Sequence, residues 1–348
     1  MPTSLDTRPP TVARTRGRKR SRSTVVSLVL TAAGFLALCV SVSLGEVTIP
    51  LPDVVRALFG DDADGMSYIV TELRLPRALV AVLAGAALGL SGAIFQSLVR
   101  NPLASPDIIG ITGGASAAAV VALLLIGLRG FPVSLAAFAG ALATAAAIYV
   151  LTWRKGVTGY RLVLVGVAMG AMLTSIVSYC LTRADVYDAR EALVWLTGSL
   201  NAKTWSTVQI LGLSLALIVP LALLAGRWLL PLELGDDTAQ ALGVPLERAR
   251  MGLIVAAVAL AAAATAAVGP VAFVAFVSGP IARRLAGGPG IALVPSALVG
   301  ALVMTVSDLV AQHAFASVQF PVGVITAIVG APYLLWLLAV TNRVGRGG

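Results

Sequence analysis

Charged residues are scarce in this chain. Asp, Glu, Lys and Arg make up 12% of its 348 residues, whereas hydrophobic residues make up 58%. A soluble globular domain carries about 25% charged residues. The mean hydropathy is +0.94. A water-soluble core cannot hold this much apolar sequence, so the composition excludes soluble enzymes and soluble binding modules and indicates a protein that contacts lipid.

Residues that bind metals or act as nucleophiles are also few, since the chain has two cysteines and one histidine. Cys39 and Cys180 lie in separate apolar runs, which argues against a disulfide framework and against a paired metal motif. With His313 as the single histidine, no nucleophile–base pair can be assembled. The sequence therefore predicts no catalytic residue and no metal site, and gives a membrane-embedded enzyme no support.

A phosphate-binding loop of the form Gly-x-x-x-x-Gly-Lys-Ser/Thr is missing as well. The lysines are Lys19, Lys155 and Lys203, and none of them follows a glycine. Because such a loop holds the phosphates of ATP, we expect this chain to bind no cofactor and to hydrolyse no ATP by itself.

Long apolar runs, in contrast, are numerous. A membrane-crossing helix needs about 20 apolar residues, and these runs far exceed the roughly 10-residue strands of a membrane barrel. Backbone groups in lipid must then be satisfied within helices. The sequence predicts an all-α polytopic fold with about ten spans, near 25–44, 76–98, 108–128, 133–153, 162–182, 206–226, 250–268, 270–283, 291–311 and 323–341.

The basic residues predict the orientation of these spans. Of the 25 Lys and Arg residues, 18 fall on the side of the N-terminus and 7 on the other side. Positive loops stay in the cytoplasm, so both termini are predicted to be cytoplasmic. Residues 1–24 read as a basic, disordered tail, 25–341 as one transmembrane domain and 342–348 as a second short tail. The Arg run of the first tail anchors the first span, and no nucleic-acid partner is needed to explain it.

The largest cytoplasmic segment, 227–250, contains a short helical pattern. Asp236 and Asp237 follow Gly235 at its start, and Ala241 and Leu242 precede Gly243 at its end. Acidic residues favour a helix N-terminus and glycine favours a helix C-terminus. A short helix in the cytoplasm needs a partner or a membrane surface to pack against.

Asp308 is the prominent charge within a predicted span. An intramembrane carboxylate is a functional candidate by default, and Asp308 lies near the outer end of the ninth span. We treat it as a candidate residue of a translocation pathway; the alternative is a structural hydrogen bond or a helix-end partner.

Several motifs then point to one family. The most specific block begins with Glu72-Leu73-Arg74-Leu75-Pro76-Arg77 and ends with Arg100-Asn101-Pro102-Leu103-Ala104-Ser105-Pro106-Asp107. Further blocks are Trp195-Leu196-Thr197-Gly198-Ser199-Leu200, Gly269-Pro270-Val271-Ala272-Phe273-Val274 and Pro321-Val322-Gly323-Val324-Ile325-Thr326. Together they closely resemble the FecCD-type permeases of iron-siderophore, haem and cobalamin ABC importers, over about residues 45 to 341.

The resemblance implies the remaining parts of an import machine. A ten-span permease of this type pairs with a second permease, two cytoplasmic ATPases that bind ATP and Mg, and an extracytoplasmic substrate-binding protein. The implied location is the bacterial cytoplasmic membrane, in contact with lipid. The implied cargo is an iron-siderophore or related metal chelate, and the resemblance does not indicate which chelate.

The resemblance also implies roles for individual residues. Arg74 and Arg77 match the external arginines that meet carboxylates of the binding protein, with interfacial anchoring as the alternative. Asn101 and Leu103 match the loop that narrows the pathway at the cytoplasmic side, with a simple Asn-Pro turn as the alternative. The segment 234–243 matches the helices that dock into the ATPase.

Two stretches depart from the family pattern. Ser278-Gly279-Pro280 stands where Ala-Pro-His or Ala-Pro-Gln is usual, and the resemblance assigns it no role. Gln312-His313 stands near where some members carry another external arginine. That second departure favours a nonidentical partner permease over a homodimer, because the partner would then supply the charge.

A different class of transporter remains as an alternative. An ion-coupled secondary transporter would also be polytopic, but it should carry ion-binding residues or interrupted helices near the midplane of the membrane. Asp308 alone is weak support for an ion-coupled transporter. Our leading interpretation is a nonenzymatic import channel whose substrate arrives on a binding protein.

Overall fold

The structure is a computed structural model that describes residues 11–45, 47–59, 66–152, 159–287, 291–314 and 319–344. These residues form helices and connecting turns, with no strand among them, so the predicted all-α class is confirmed. The helices in chain order are α1 Thr11–Ser43, α2 Leu51–Leu58, α3 Met66–Tyr68, α4 Leu75–Val99, α5 Ile111–Leu124, α6 Phe131–Thr152, α7 Gly159–Arg183, α8 Val186–Leu196, α9 Trp205–Gly226, α10 Leu229–Glu233, α11 Asp236–Ala241, α12 Leu246–Val268, α13 Val274–Ala286, α14 Leu293–His313 and α15 Val322–Val344.

Each of the ten predicted spans falls on one helix, but the helices are not all of spanning length. Within the described residues, seven helical segments are long and apolar enough to cross a membrane: Ser21–Ser43, Met66–Val99, Phe131–Thr152, Tyr160–Arg183, Trp205–Gly226, Leu246–Val268 and Leu293–His313. Two shorter apolar helices, Ile111–Leu124 and Val322–Leu337, accompany them. The prediction of about ten crossings thus stays a prediction, whereas the part of the chain that the structure describes holds seven candidate spans.

Two helical segments lie where the sequence predicts none. Helix α1 begins at Thr11, so residues 11–24 are helical where a disordered tail is predicted, because no proline interrupts the helix before the first span. Residues 1–10, Glu46 and 345–348 lie outside the described residues. Helix α8 is not predicted from the sequence at all, although Asp185 precedes it in the extended conformation that is usual before a helix.

Helix α4 lies at the centre of the bundle, in contact with α9, α12, α13 and α14. Its small residues permit this, because membrane helices pack closely where side chains are small. A Cβ atom at Gly89 would collide with the backbone carbonyl oxygen of Ser296, and one at Gly92 with that of Ala275. Polar side chains join the same contacts: the Ser91 hydroxyl donates to the Ala257 carbonyl oxygen at 2.6 Å.

The contacts between helix ends are consistent with the predicted orientation of the spans. The C-terminal ends of α1 and α14 meet the N-terminal end of α4, through side-chain contacts described below. The C-terminal end of α4 meets α11 and the start of α12 at the other end of the bundle. These two groups are the ends that the alternating topology assigns to outside and inside.

The departure at Ser278-Gly279-Pro280 lies within α13, against α4. A Cβ atom at Gly279 would collide with the Oε1 atom of Gln96, and the Nε2 atom of Gln96 donates to the Phe276 carbonyl oxygen at 2.9 Å. The Ser278 hydroxyl donates to the Val274 carbonyl oxygen at 2.5 Å. This stretch therefore fits α13 tightly onto α4.

Candidate functional site

At the outer end of the bundle, Arg77 forms a buried ion pair with Asp308. The Nη2 atom of Arg77 donates to Oδ1 at 2.8 Å and its Nε atom donates to Oδ2 at 3.0 Å. The side chains of Arg77 and Asp308 are 16% and 1% exposed. The Nε2 atom of Gln312 donates to Oδ2 at 2.8 Å. A forked pair of this kind fixes both the distance and the plane of the guanidinium group.

Arg74 lies one turn earlier, in a π-helical turn, Ile69–Arg74, that leads into α4. Its Nη1 atom donates to the carbonyl oxygens of Val42 and Ser43, each at 3.0 Å, and its Nη2 atom donates to that of Val47 at 2.6 Å. The last carbonyls of a helix have no partner inside the helix, and a cation there opposes the negative end of the helix dipole. Arg74 therefore caps the outer end of α1.

At the cytoplasmic end, Asp236 joins three elements. The Nη2 atoms of Arg100 and Arg250 donate to its Oδ1 atom at 2.8 and 2.7 Å. The same Arg100 atom donates to the Leu232 carbonyl oxygen at 2.6 Å. Burial raises the pKa of Asp236, but the hydrogen bonds and positive charges of Arg250 and Arg100 outweigh it and hold that pKa below its ordinary value. We call Arg100, Asp236 and Arg250 the cytoplasmic hub.

Beyond the hub, apolar residues at the two ends of α11 are exposed to solvent. Ala241 and Leu242 are exposed, the latter by 63%, and Leu234 is exposed to the same extent. Gly235 and Gly243 have φ angles of +115° and +79°, which side chains rarely adopt. The glycines thus fix the turns at both ends of the short helix, where Ala239 packs into the core of the bundle and Ala241 stays exposed.

The loop that follows α4 carries the two predicted gate residues. The Oδ1 atom of Asn101 accepts a hydrogen bond from the backbone N–H of Leu103 at 2.9 Å, an Asx turn. Leu103 is half-buried against an apolar cluster of α13 and α15 that includes Phe276 and Leu337. Asn101 thus shapes the turn, and Leu103 is the residue of the pair that reaches other helices.

A cavity of about 700 Å³ lies further along the same loop. Asp107, Ser116, Thr197 and Val324 are among the residues that line it, together with backbone of neighbouring glycines. The Asp107 carboxylate accepts a hydrogen bond from the Thr112 hydroxyl at 2.6 Å. Asp107 lies in the linker between α4 and α5, where burial raises the pKa of its carboxyl to about 6 despite that hydrogen bond. Asp308 is not among the lining residues.

Reasoning from the sequence missed several of these residues. Asp107 stands in the most specific motif, but nothing in the sequence indicates that it faces a cavity. The hub joins residues 136 positions apart, Arg100 and Asp236, and the outer ion pair joins residues 231 positions apart. A charge within an apolar run, such as Asp308, indicates that a partner exists without identifying it.

Comparisons with known proteins agree across most of the chain. The model of the FecCD transport family matches residues 30–340. The ferric enterobactin transport system permease protein FepG of Escherichia coli (strain K12) is 42% identical over 323 residues, which cover 92% of this chain and 98% of that protein. The Fe(3+) dicitrate transport system permease protein FecD of the same organism is 41% identical over 317 residues, 90% of this chain and 98% of that protein.

A solved structure extends the comparison to the fold. It is an inward-facing conformation of an ABC transporter described as metal-chelate type, and it superposes with a TM-score of 0.79 at 26% identity, over 91% of this chain and 99% of that chain.

Proposed function

The chain belongs to the FecCD transport family, and on that premise we propose that it is the membrane-spanning permease subunit of an ABC importer that carries a chelated ferric ion across the bacterial cytoplasmic membrane. The observation that carries the proposal is the family match over nearly all of the apolar sequence. The relatives named above transport ferric enterobactin and ferric dicitrate. They give the secondary-transporter alternative no support.

Catalysis belongs to other subunits under this proposal. The permease is not an enzyme; ATP and its Mg ion bind to two partner ATPases at the cytoplasmic side. A bulky chelate can pass a weakly binding pathway between two permeases, because tight intramembrane ligands would retain it.

The docking site for the ATPase is α11. Its support is the exposed pair Ala241 and Leu242 beside the cytoplasmic hub. Because Asp236 bonds to Arg100 at the end of α4 and to Arg250 at the start of α12, a displacement of α11 by the ATPase would pull on two core helices directly. The hub is the mechanical link in this proposal.

The cytoplasmic gate is the loop that contains Asn101 and Leu103. Arg100 begins this loop and belongs to the hub, so movement of α11 would shift Leu103 relative to α13 and α15. The cavity beside Asp107 lies further along the same loop and is the better candidate for the pathway than Asp308, whose carboxylate is occupied by Arg77 and Gln312.

The external docking site for the binding protein is the surface around Arg74 and Arg77. Both residues are half-buried, and both guanidinium groups have partners in the chain, so a partner carboxylate would add to existing contacts. A nonidentical second permease fits the departure at Gln312-His313, since Gln312 is engaged with Asp308 and supplies no positive charge.

Reconstitution tests the function. We expect proteoliposomes that contain this chain, its second permease and its ATPases to take up radiolabelled ferric chelate when supplied with loaded binding protein and ATP. Omission of ATP, or an ATPase variant unable to hydrolyse it, should abolish uptake. Uptake driven by a proton or sodium gradient without ATP would contradict the proposal.

A further inference from the structure

A second cavity lies at the outer ends of the helices, apart from the hub, the gate loop and the outer ion pair. Its volume is about 880 Å³, within the range of pockets that hold organic ligands. The lining comes from the end of α5, the start of α6, α8, the start of α9 and the end of α12. By the topology above, all these helix ends face outward. We call it the outer-leaflet cavity.

The outer-leaflet cavity is apolar in depth and polar at its mouth. Ala263 and Ala267 of α12 and Leu211 of α9 line it together with Phe138 of α6. It reaches Ser214, nine residues into α9, which at about 1.5 Å per residue is roughly 13 Å from the helix start. Half of the hydrocarbon layer is about 15 Å thick, so the cavity extends through most of one leaflet.

The mouth carries a positive charge that nothing in the described chain neutralises. Lys203, in the linker between α8 and α9, lines the cavity, and burial lowers the pKa of its ammonium group. No hydrogen bond or ion pair joins Lys203 to another described residue. Lys203 is half-buried, and partial removal of an ammonium group from water without a partner is costly, so a bound anion would stabilise its charged form.

An acidic residue that also lines the cavity is already paired. Glu191 lines the cavity, but Arg129 forms an ion pair with it and donates to Asp188 at 2.8 Å. Hydroxyl groups complete the rim, since Thr204 and Ser206, which hydrogen-bond each other at 2.8 Å, both line the cavity. The rim therefore offers a cation and hydroxyl donors, which suit phosphate oxygens.

The cavity also borders surface that is suited to lipid. Phe131 and Leu135 of α6 and Ile210 of α9 line it and remain 56%, 57% and 46% exposed. In the most apolar stretches of α6 and α9, only 28% and 22% of the residues are buried. An acyl chain could thus enter from the membrane without crossing a polar layer.

We propose that the outer-leaflet cavity binds one anionic phospholipid, with its phosphate at Lys203 and an acyl chain between α6, α9 and α12. This ligand supplies an anion to the Lys203 ammonium group and an acyl chain to the deep apolar part of the cavity. A free phosphate would use only the first feature, and an uncharged lipid only the second.

The experiment uses the assembled importer, so that a partner subunit that covers the cavity would be detected. Native mass spectrometry of the delipidated complex counts bound phosphatidylglycerol as that lipid is added back. We expect Lys203→Gln to weaken the tightest phosphatidylglycerol site about five- to tenfold. Arg190→Gln, a matched loss of one exposed outer charge on α8, should leave it unchanged.

A second variant tests the apolar part. Ser214→Phe fills the deep end of the cavity and should reduce binding of long-chain phosphatidylglycerol while a short-chain analogue still binds. Unchanged affinity in Lys203→Gln, or no tight lipid in the assembled complex, would overturn the proposal. So would competition by inorganic phosphate at equal affinity, because the site would then recognise a free anion.

Discussion

A buried charge in the apolar interior of this permease depends on its hydrogen-bond donors. Asp308 is 1% exposed, yet Arg77 and Gln312 donate to both of its oxygens. A carboxylate without such donors would be very costly at this position. The charge of Asp308 is therefore tied to the position of Arg77, and through it to the outer surface of the chain.

A double-mutant cycle tests this dependence. We expect Asp308→Asn and Arg77→Gln each to destabilise the chain by about 3 kcal/mol, because each leaves a buried charge without its partner. The double variant should lose much less than the sum of the two. Thermal unfolding of the purified complex measures the three losses.

The exposed pair of Arg56 and Asp53, at 3.2 Å, supplies the control for that cycle. Because both side chains are exposed, Arg56→Gln should cost about 1 kcal/mol or less. Additive losses at Arg77 and Asp308 would show that the two residues act independently.

At this scale the sequence predicts which residues are unusual but not which residues meet. Asp308 stands out because it is a charge in an apolar run, and Arg74 and Arg77 stand out through their motif. The capping of α1 by Arg74 has no signal in the sequence, because it depends on where π-helical residues 69–74 lie relative to the end of α1. Lys203 gives no signal either until its burial is known.

Among the elements, α4 depends most on close backbone contact. Gly→Ala in a helix normally gains up to about 1 kcal/mol. At Gly89, however, the added Cβ would meet the Ser296 carbonyl oxygen of α14, and overpacking costs about 1–3 kcal/mol. We expect Gly89→Ala to lower the unfolding temperature of the complex.

The matched control is Gly212→Ala in α9. There the nearest atom to an added Cβ is the Leu83 Cδ1 atom at 4.0 Å, so the substitution should leave the unfolding temperature unchanged or raise it. Equal effects at the two glycines would contradict the assigned contact between α4 and α14.

Helix α11 supports a prediction about coupling. Ala241 is exposed beside Leu242 at the cytoplasmic end. We expect Ala241→Glu to reduce retention of the ATPase during purification about tenfold or more, since a charge would have to be buried at the interface. The amount of inserted permease should not change. Phe59→Glu, at an exposed residue on the outer side, should retain the ATPase fully; full retention in Ala241→Glu would refute the docking assignment.

Prediction succeeds for the long helices and weakens for short ones. A run of about 20 apolar residues is sufficient to place α6, α9 and α12, because lipid permits little else. The span predicted at 108–128 becomes the shorter α5, Ile111–Leu124, because Gly110 and Gly127 have φ angles of +85° and +76° at its two ends. Such turns depend on tertiary contacts that hydropathy does not report.

The whole molecule has two polar ends joined by an apolar bundle, and α4 connects them. Its N-terminal end follows Arg74 and contains Arg77, and its C-terminal end leads to Arg100 of the cytoplasmic hub. Because α4 packs against α13 and α14 at backbone distance, we expect it to move together with them as one rigid unit. This arrangement suits a subunit that must respond to a binding protein on one side and to an ATPase on the other.

The docking of the binding protein is a property of the whole complex, and it gives the last prediction. Reversal of both Arg74 and Arg77 to Glu should weaken binding at least about tenfold and make the residual association less inhibited by salt, because attraction becomes repulsion. Both arginines also stabilise the fold, so a second variant, Arg74→Lys with Arg77→Lys, separates the docking role from the structural role. Lysines keep the positive charge but lose the planar fork, and binding should therefore recover in part. Affinity is measured with the intact complex in nanodiscs over a range of ionic strength. Unchanged affinity and salt dependence in the double Glu variant, with the complex still assembled, would mean that these arginines serve only the ion pair with Asp308 and the cap of α1.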